Sequence, residues 1–213
     1  MTIILFIRHG ESMANDGGVF AGQLDIELSK RGISQAQLLA DWIYKNYKVD
    51  KIYASDLSRA YNTAKPLAKL FNLEINATKE LREINSGDWQ GKSFERLVEN
   101  YANSYGVWLK DIGNAKCPNG ESVKNLYERV WRKVNEIAVQ NKGKTIAIFT
   151  HATPIRAVCC KLKGYDVGDM KDVAWVSNAS VSEVTIDENK WSLAKESVDE
   201  YLTDMKTRFP ANV

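Results

Sequence analysis

Two histidines and two arginines are the residues of this sequence most capable of joint chemistry. The chain has 213 residues and only two histidines, His9 and His151, each of which directly follows a strongly apolar run. Arg8 precedes the first histidine, and Arg59 closely follows another apolar run. An imidazole can act as a nucleophile toward phosphorus, and guanidinium groups bind phosphoryl oxygens. These residue types indicate phosphoryl transfer on a small phosphorylated metabolite, provided that the fold brings them together.

The elements that would position these residues can be read from the hydrophobic pattern. Apolar, β-branched runs predict strands, and positions of helical spacing predict amphipathic helices between them. Strands alternating with helices favour an α/β fold, here a three-layer α/β/α sandwich with a largely parallel central sheet. The predicted strands are Ile3–Ile7, Lys51–Ala54, Thr145–Phe149 and a terminal hairpin of Ser180–Ile186 with Trp191–Ala194, and long helices are predicted at Ser29–Tyr47 and Glu121–Val139.

Ligands of open parallel sheets bind at the carboxyl ends of the strands. His9 and His151 each follow a predicted strand, so both are expected at this edge of the sheet. Arg59 is expected there too, in the first turn of a helix capped by Ser55 or Asp56. A cation in that turn is disfavoured by roughly 0.3–1 kcal/mol, and a bound anion would offset this cost. The placement is therefore compatible with an anion site at the start of this helix.

Each of these residues also has a purely structural interpretation. A lone histidine is most often a hydrogen-bonded structural residue. Arg59 alone would be read as an exposed arginine that tolerates its position. Arg8, at the end of a buried strand, needs a partner, for which Glu11 and a ligand phosphate are the two candidates.

Composition excludes several classes of protein. Lysine and arginine total 29 against 27 acidic residues, a net charge of +2, which gives no basic excess for binding nucleic acid. No apolar run approaches the ~18 residues that a membrane span needs. The three cysteines form no CxxC pair, so neither a disulfide framework nor a zinc site is expected. We expect one domain over residues 1–213 in the reducing cytoplasm, with the oligomeric state open.

Six segments carry a resemblance to a known family. They are RHGES at Arg8–Ser12, GQLDIELSKRG at Gly22–Gly32, SDLSRAYNTA at Ser55–Ala64, LREINSGDWQG at Leu81–Gly91, GES at Gly120–Ser122 and THATPIRA at Thr150–Ala157. In this order and spacing they resemble the histidine phosphatase superfamily, which includes cofactor-dependent phosphoglycerate mutases and many small phosphatases. The resemblance implies a phosphoglycerate mutase-like fold and a phosphohistidine intermediate.

The resemblance also implies a role for each matched position, without a metal or another cofactor. His9 would be the nucleophile, and Glu83 would protonate the leaving oxygen and then help to activate water. The groups implied to bind the phosphoryl oxygens are Arg8, Arg59 and His151, with Asn15, Gln23 and the backbone N–H of Ala152 as further contacts. Many members carry glycine where this chain has Ala152, which keeps the N–H but narrows the allowed backbone angles.

The matched motifs do not separate a phosphatase from a mutase. In the mutases a long insertion between the acidic and GES motifs carries an adjacent arginine pair, whereas here Glu83 to Glu121 is short and no Arg-Arg pair occurs. This favours a phosphomonoester hydrolase. A phosphoglycerate mutase, a protein-phosphohistidine phosphatase and a non-catalytic binder of phosphorylated ligands stay open as alternatives.

The same interval, residues 92–120, is expected to form a helical lid or insert. Its scattered cations are interpreted as a solvated face; they are Lys92, Arg96, Lys110 and Lys116. Its aromatic residues, at mostly helical spacing, favour core packing, with a partly apolar lid over the leaving group as the alternative; they are Phe94, Tyr101, Tyr105 and Trp108, with Trp89 just before.

Overall fold

The computed structural model describes residues 1–207 and contains one six-stranded sheet of order β3-β2-β4-β1-β5-β6. The strands are β1 (Thr2–Arg8), β2 (Lys51–Ser55), β3 (Ile75–Thr78), β4 (Thr145–Thr150), β5 (Val181–Asp187) and β6 (Lys190–Val198). β1 to β4 are parallel, and β5 and β6 add an antiparallel pair at one edge. The prediction of a largely parallel sheet is confirmed. Residues 208–213 of the predicted domain lie outside the described residues.

Apolar side chains cover both faces of the central strands. In β1, Ile4 and Phe6 lie in one hydrophobic core, whereas Leu5 and Ile7 lie in the core on the other face. β4 shows the same alternation. Because successive strand residues point to opposite faces, a strand buried on both sides must be apolar throughout. This explains why the continuous apolar runs of the sequence are central strands.

Seven α-helices within residues 1–207 complete the sandwich. They are α1 (Met13–Asp16), α2 (Lys30–Asn46), α3 (Ser58–Phe71), α4 (Phe94–Asn100), α5 (Ala102–Lys110), α6 (Val123–Gln140) and α7 (Ala152–Leu162). α2 and α3 contribute to the core on one face of the sheet, and α4 to α7 contribute to the core on the other. Within residues 1–207 we find no helix that is both long and apolar enough to span a membrane.

The predicted cap of α3 is wrong, and the helical segment within residues 92–120 is divided into separate helices. Neither Ser55 nor Asp56 caps α3; instead the carboxylate of Asp25, distant in sequence, accepts from the Ser58 backbone N–H and hydroxyl at 2.7 and 3.0 Å. The helical pattern between Phe94 and Ile112 is also interrupted, because Tyr101 leaves helical geometry (φ −131°) and separates α4 from α5. The first difference arises from tertiary structure that local sequence does not encode.

Candidate active site

Strand register places the two histidines side by side. In the parallel pair β1 and β4, Arg8 lies opposite Thr150, and each is the last residue of its strand. The residue that follows each strand is a histidine, so both histidines lie at the same sheet edge. The His9 N–H donates to the Thr150 carbonyl at 3.0 Å. The rings of His9 and His151 have centroids 5.1 Å apart at an interplanar angle of 62°. The expected convergence of these two side chains is therefore present.

His9 is held as a neutral imidazole with one nitrogen free to react. Its Nδ1 lies 2.7 Å from the Gly10 carbonyl oxygen, which can only accept, so Nδ1 carries the proton and Nε2 carries the lone pair. The Thr63 hydroxyl oxygen in turn accepts from the Gly10 N–H at 3.0 Å. Burial, and then the charges of Arg59 and Arg8, hold the pKa of His9 well below its usual range.

His151 is fully buried beside the nucleophile and has one nitrogen unsatisfied. Its Nε2 lies 2.8 Å from the Ser55 hydroxyl, whose oxygen accepts from the Leu57 N–H at 3.3 Å. Its Nδ1 is buried and has no hydrogen-bond partner in residues 1–207. Burial first, and then the charge of Arg59, hold the pKa of His151 well below its usual range. A buried, unpartnered ring nitrogen is costly, and a ligand oxygen would satisfy it.

The two arginines are positioned by backbone carbonyl groups. Arg8 Nη1 donates to the Val176 carbonyl at 2.6 Å. Arg59 is 1% exposed and donates from its two terminal nitrogens to the Leu24 and Gly22 carbonyls, each at 2.8 Å. Burial lowers the pKa of Arg8 and of Arg59 to about 10, so both remain cationic at neutral pH. The structure thus places two fixed positive charges beside His9.

Gly22 is required by the loop that holds Arg59. Its φ of +52° is left-handed, and a Cβ at this position would lie 2.0 Å from the Ser86 hydroxyl oxygen. Any other residue would displace this loop and, with it, the carbonyl that accepts from Arg59. The glycine at the start of the second matched motif therefore has a positional role.

Glu83 lies at the same pocket as the histidine and the arginines. Its carboxylate accepts from the Ile84 N–H at 2.8 Å through Oε1 and from the Thr153 N–H at 3.3 Å through Oε2. Thr153 is in the first turn of α7, so the acid is bound to the amino end of that helix. Ala152 begins α7 without a left-handed φ, so the backbone there does not require glycine.

Buried Asn178 and half-buried Asn15 form an amide pair behind the nucleophile. The Asn178 NH₂ donates to the His9 carbonyl at 3.1 Å and to the Asn15 amide oxygen at 3.2 Å. That oxygen also accepts from the Ser12 N–H at 3.0 Å, which leaves the Asn15 NH₂ for a ligand. Sequence reasoning missed Asn178, because it lies in none of the matched motifs.

One pocket borders His9, both arginines and Glu83, and it has a polar and an apolar end. His151 is fully buried beside the pocket and is not among its lining residues. The polar end is lined by Arg8, His9, Ser12, Asn15, Arg59, Glu83, Ala152 and Thr153. The apolar end is lined by Val19, Phe20, Phe94, Tyr105, Trp108 and Trp175. Tyr105 and Trp108 are buried core residues, as their helical spacing predicted, and both also line the pocket. No cluster of three or more histidine, cysteine or acidic side chains suited to a metal ion occurs in residues 1–207.

Gln23 and Glu11 are not among the residues that line this pocket. Gln23 does not line this pocket: its amide donates to the Glu83 carbonyl at 3.0 Å, and the residue lines a separate polar depression with Arg82. Glu11, the candidate partner of Arg8, instead accepts from the Ser29 hydroxyl at 2.7 Å and pairs with Arg31 at 3.6 Å. Both residues act on neighbouring backbone and loops rather than at the pocket surface.

Known proteins share this arrangement of sequence and fold. Phosphoserine phosphatase 1 of Hydrogenobacter thermophilus is 33% identical over 190 residues, which is 89% of either chain. A phosphoserine phosphatase mutant of Entamoeba histolytica in complex with phosphoserine has a TM-score of 0.82 at 28% identity, covering 95% of this chain and 100% of that one. A mycobacterial glucosyl-3-phosphoglycerate phosphatase in complex with VO₃ has a TM-score of 0.85 at 26% identity, covering 92% and 99%.

The family model of the histidine phosphatase superfamily (branch 1) matches residues 4–199, which include every residue placed at the pocket. The three-layer fold and the paired histidines agree with this match. The chain therefore belongs to the histidine phosphatase superfamily, branch 1.

Proposed function

We propose that the protein is a phosphomonoester hydrolase that acts through a phosphohistidine on His9 and needs no metal ion. The observation that carries the proposal is the tautomer of His9. The Gly10 carbonyl accepts the proton of Nδ1 in a hydrogen bond, which leaves the lone pair on Nε2 available to attack phosphorus. Membership of the histidine phosphatase superfamily supports it, as do relatives named as phosphatases.

In the first step, His9 Nε2 forms a bond to phosphorus while the bond from phosphorus to the ester oxygen breaks. Arg8 and Arg59 balance the charge on the equatorial oxygens, and the Nδ1–H of His151 donates to one of them. Glu83 gives its proton to the departing oxygen, so the alcohol leaves neutral. Asn15 and the Ala152 N–H supply further donors to the phosphoryl group.

In the second step, water replaces the histidine. The Glu83 carboxylate takes a proton from water as the oxygen attacks phosphorus, and the bond from phosphorus to Nε2 breaks. Inorganic phosphate and neutral His9 result, and Glu83 is again protonated for the next cycle. The low pKa of His9 assists this step, because a neutral imidazole is the form released.

The residues that line the pocket favour hydrolysis over mutase chemistry. A mutase must hold a second phosphate or a carboxylate with additional cations. The scattered cations at 92–120 do not line the pocket, and Arg96, Lys110 and Lys116 are exposed.

Because the two cores share one sheet, we propose one domain in which residues 92–120 cover the leaving group. The described cysteines are all free, which supports a location in the reducing cytoplasm.

A phosphate-release screen tests this function. We expect the protein, assayed with a chelator present, to release inorganic phosphate from several small phosphomonoesters. Phosphoserine is included because a relative is named as a phosphoserine phosphatase. Interconversion of 2- and 3-phosphoglycerate is measured in parallel, together with release from a phosphohistidine-bearing protein. Faster interconversion than hydrolysis would make the protein a mutase, and preferential release from the protein substrate would make it a protein phosphatase. Phosphate binding without turnover would leave only a binding role.

A further inference from the structure

The leaving-group end of the pocket is built from interlocked aromatic rings. Phe20 makes edge-to-face contacts with Trp108 at 5.2 Å and with Phe94 at 6.4 Å between centroids. Trp175 lies 6.3 Å from Trp108, and the Arg156 guanidinium stacks on the Trp175 ring at 4.0 Å. Rings fixed in this way form a wall that does not need to reorganise when a substrate binds.

Within residues 1–207, no charged side chain lines this end of the pocket, although Arg156 stacks on the Trp175 ring. Among the described residues that line the pocket, the charged ones are Arg8, Arg59 and Glu83, and all three belong to its polar end. Burial raises the pKa of Tyr105 to about 12, so its phenol is neutral. A carboxylate or ammonium group on the leaving alcohol would lose water here without gaining a partner.

We infer that the preferred substrates are phosphomonoesters of uncharged, predominantly apolar alcohols, with an aromatic ring as the best fit. This inference rests on the proposed hydrolase function and adds the class of its substrate. The pocket is open to solvent and has a volume of about 90 Å³. Its aromatic rings lie where a leaving group attached to a phosphoryl group at the polar end would extend.

A matched panel of primary-alcohol esters tests the substrate class on the unmodified protein. We compare kcat/KM for benzyl phosphate, propyl phosphate and phosphoserine, all of which release an alcohol that needs protonation. Benzyl phosphate is expected to exceed propyl phosphate by about tenfold or more, and phosphoserine to be the poorest. Phosphoserine equal to or better than benzyl phosphate would overturn the inference and leave the hydrolase function standing. No phosphate release from any ester would instead count against the proposed function.

A charge placed in the pocket gives a second test. Phe94→Lys puts a cation at the apolar end and should shift the ratio of benzyl phosphate to phosphoserine activity toward phosphoserine by about tenfold or more. Val98→Lys is the matched control, because Val98 lies on the same helix and is 50% exposed. An unchanged ratio in folded Phe94→Lys, or an equal shift in Val98→Lys, would contradict the proposed role of this wall.

A second inference comes from a different set of contacts, around Arg129 of α6. Arg129 donates to the carbonyls of Glu80 at 2.7 Å, Arg82 at 3.1 Å and Glu83 at 3.4 Å. Its guanidinium also forms two 2.9 Å bonds to the Glu121 carboxylate. Glu121 in turn accepts from the Asn85 N–H at 3.2 Å. One ion pair thus fixes the backbone on both sides of Glu83.

We propose that Arg129 and Glu121 are positioning residues for the general acid. They touch the backbone that carries Glu83 and do not line the pocket, so they act by fixing where its carboxyl group lies. Proton transfer depends on this position, because the acid must lie within hydrogen-bond reach of the leaving oxygen. A leaving group that departs as a stable anion needs no such proton.

Two esters with different leaving groups separate positioning from general structural damage. Arg129→Met should lower kcat/KM for benzyl phosphate by about tenfold or more and change that for p-nitrophenyl phosphate by less than about threefold. Glu121→Gln, which keeps the shape of the side chain, should show a smaller selective loss. Arg132→Ala, an exposed position on the same helix, is the control. Equal losses for both esters, or no loss for either, would overturn this inference.

Discussion

The His9→Ala variant is expected to lose turnover of all phosphomonoesters, by about 10⁴-fold or more in kcat. Water cannot take the place of the imidazole, because Nε2 is aimed by a ring whose other nitrogen is bound 2.7 Å from the Gly10 carbonyl. Steady-state phosphate release measures the loss. Intact-mass analysis of rapidly quenched enzyme should show a covalently bound phosphoryl group in the wild type and none in the variant.

Binding provides the control for this variant. Arg8, Arg59 and His151 remain in place in His9→Ala, so inorganic phosphate should still bind, and circular dichroism should show a folded chain. If a folded His9→Ala variant retained more than a few per cent of activity, another group or a direct attack by water would have to perform the first step.

The Arg59→Ala variant is expected to lose about 100- to 1,000-fold in kcat/KM, equivalent to roughly 2.7–4 kcal/mol of transition-state stabilisation. The guanidinium is 1% exposed and is held at both terminal nitrogens, so it is oriented before the charge develops. Arg59→Lys should restore little, because an ammonium group cannot bind two carbonyls and a phosphoryl oxygen in the same plane. The effects of Arg59→Ala and Arg8→Ala should be non-additive, since both act on one phosphoryl group.

Thermal unfolding must accompany the Arg59 measurements, because the same side chain binds the loop of Gly22 and Leu24. Lys65→Ala, an exposed position on the same helix, is the matched control. A loss below about threefold in a folded Arg59→Ala variant would remove Arg59 from the reaction.

The convergence of the two histidines could be predicted because it depends on strand pattern alone. Strands buried on both faces are apolar throughout, and neighbouring parallel strands end at one sheet edge. His9 and His151 each follow such a strand directly, and the structure places Arg8 opposite Thr150. The location of Arg59 at the start of α3 follows from the same reasoning, although neither of the two residues predicted to cap that helix does so.

The hydrogen bonds that tune the site could not be predicted, because they join residues far apart in sequence. Asn178 is 169 positions from His9, and Ser55 is 96 positions from His151. Which polar atoms meet depends on the path of the intervening loops, and no local pattern records that path. Gln23 shows the same limit: it lies in a matched motif, yet its amide binds the Glu83 backbone.

The aromatic residues show an intermediate case. Helical spacing correctly indicated that Tyr105 and Trp108 are core residues, but periodicity says only which face of a helix is buried. It does not say that this buried face also borders a ligand cavity. Trp175 completes that wall from a segment outside the matched motifs.

The support that Asn178 and Ala179 give to His9 has a consequence for the growing polypeptide. Ala179 donates its N–H to the carbonyls of Arg8 and His9, both at 3.1 Å. A nascent chain that has left the ribosome only as far as α7 already carries all the proposed reacting side chains. It still lacks β5, so β1 would be an open sheet edge and the nucleophile would have no anchor behind it. We therefore expect phosphatase activity to arise only after this late segment has been translated, so that an incompletely synthesised chain would be inactive.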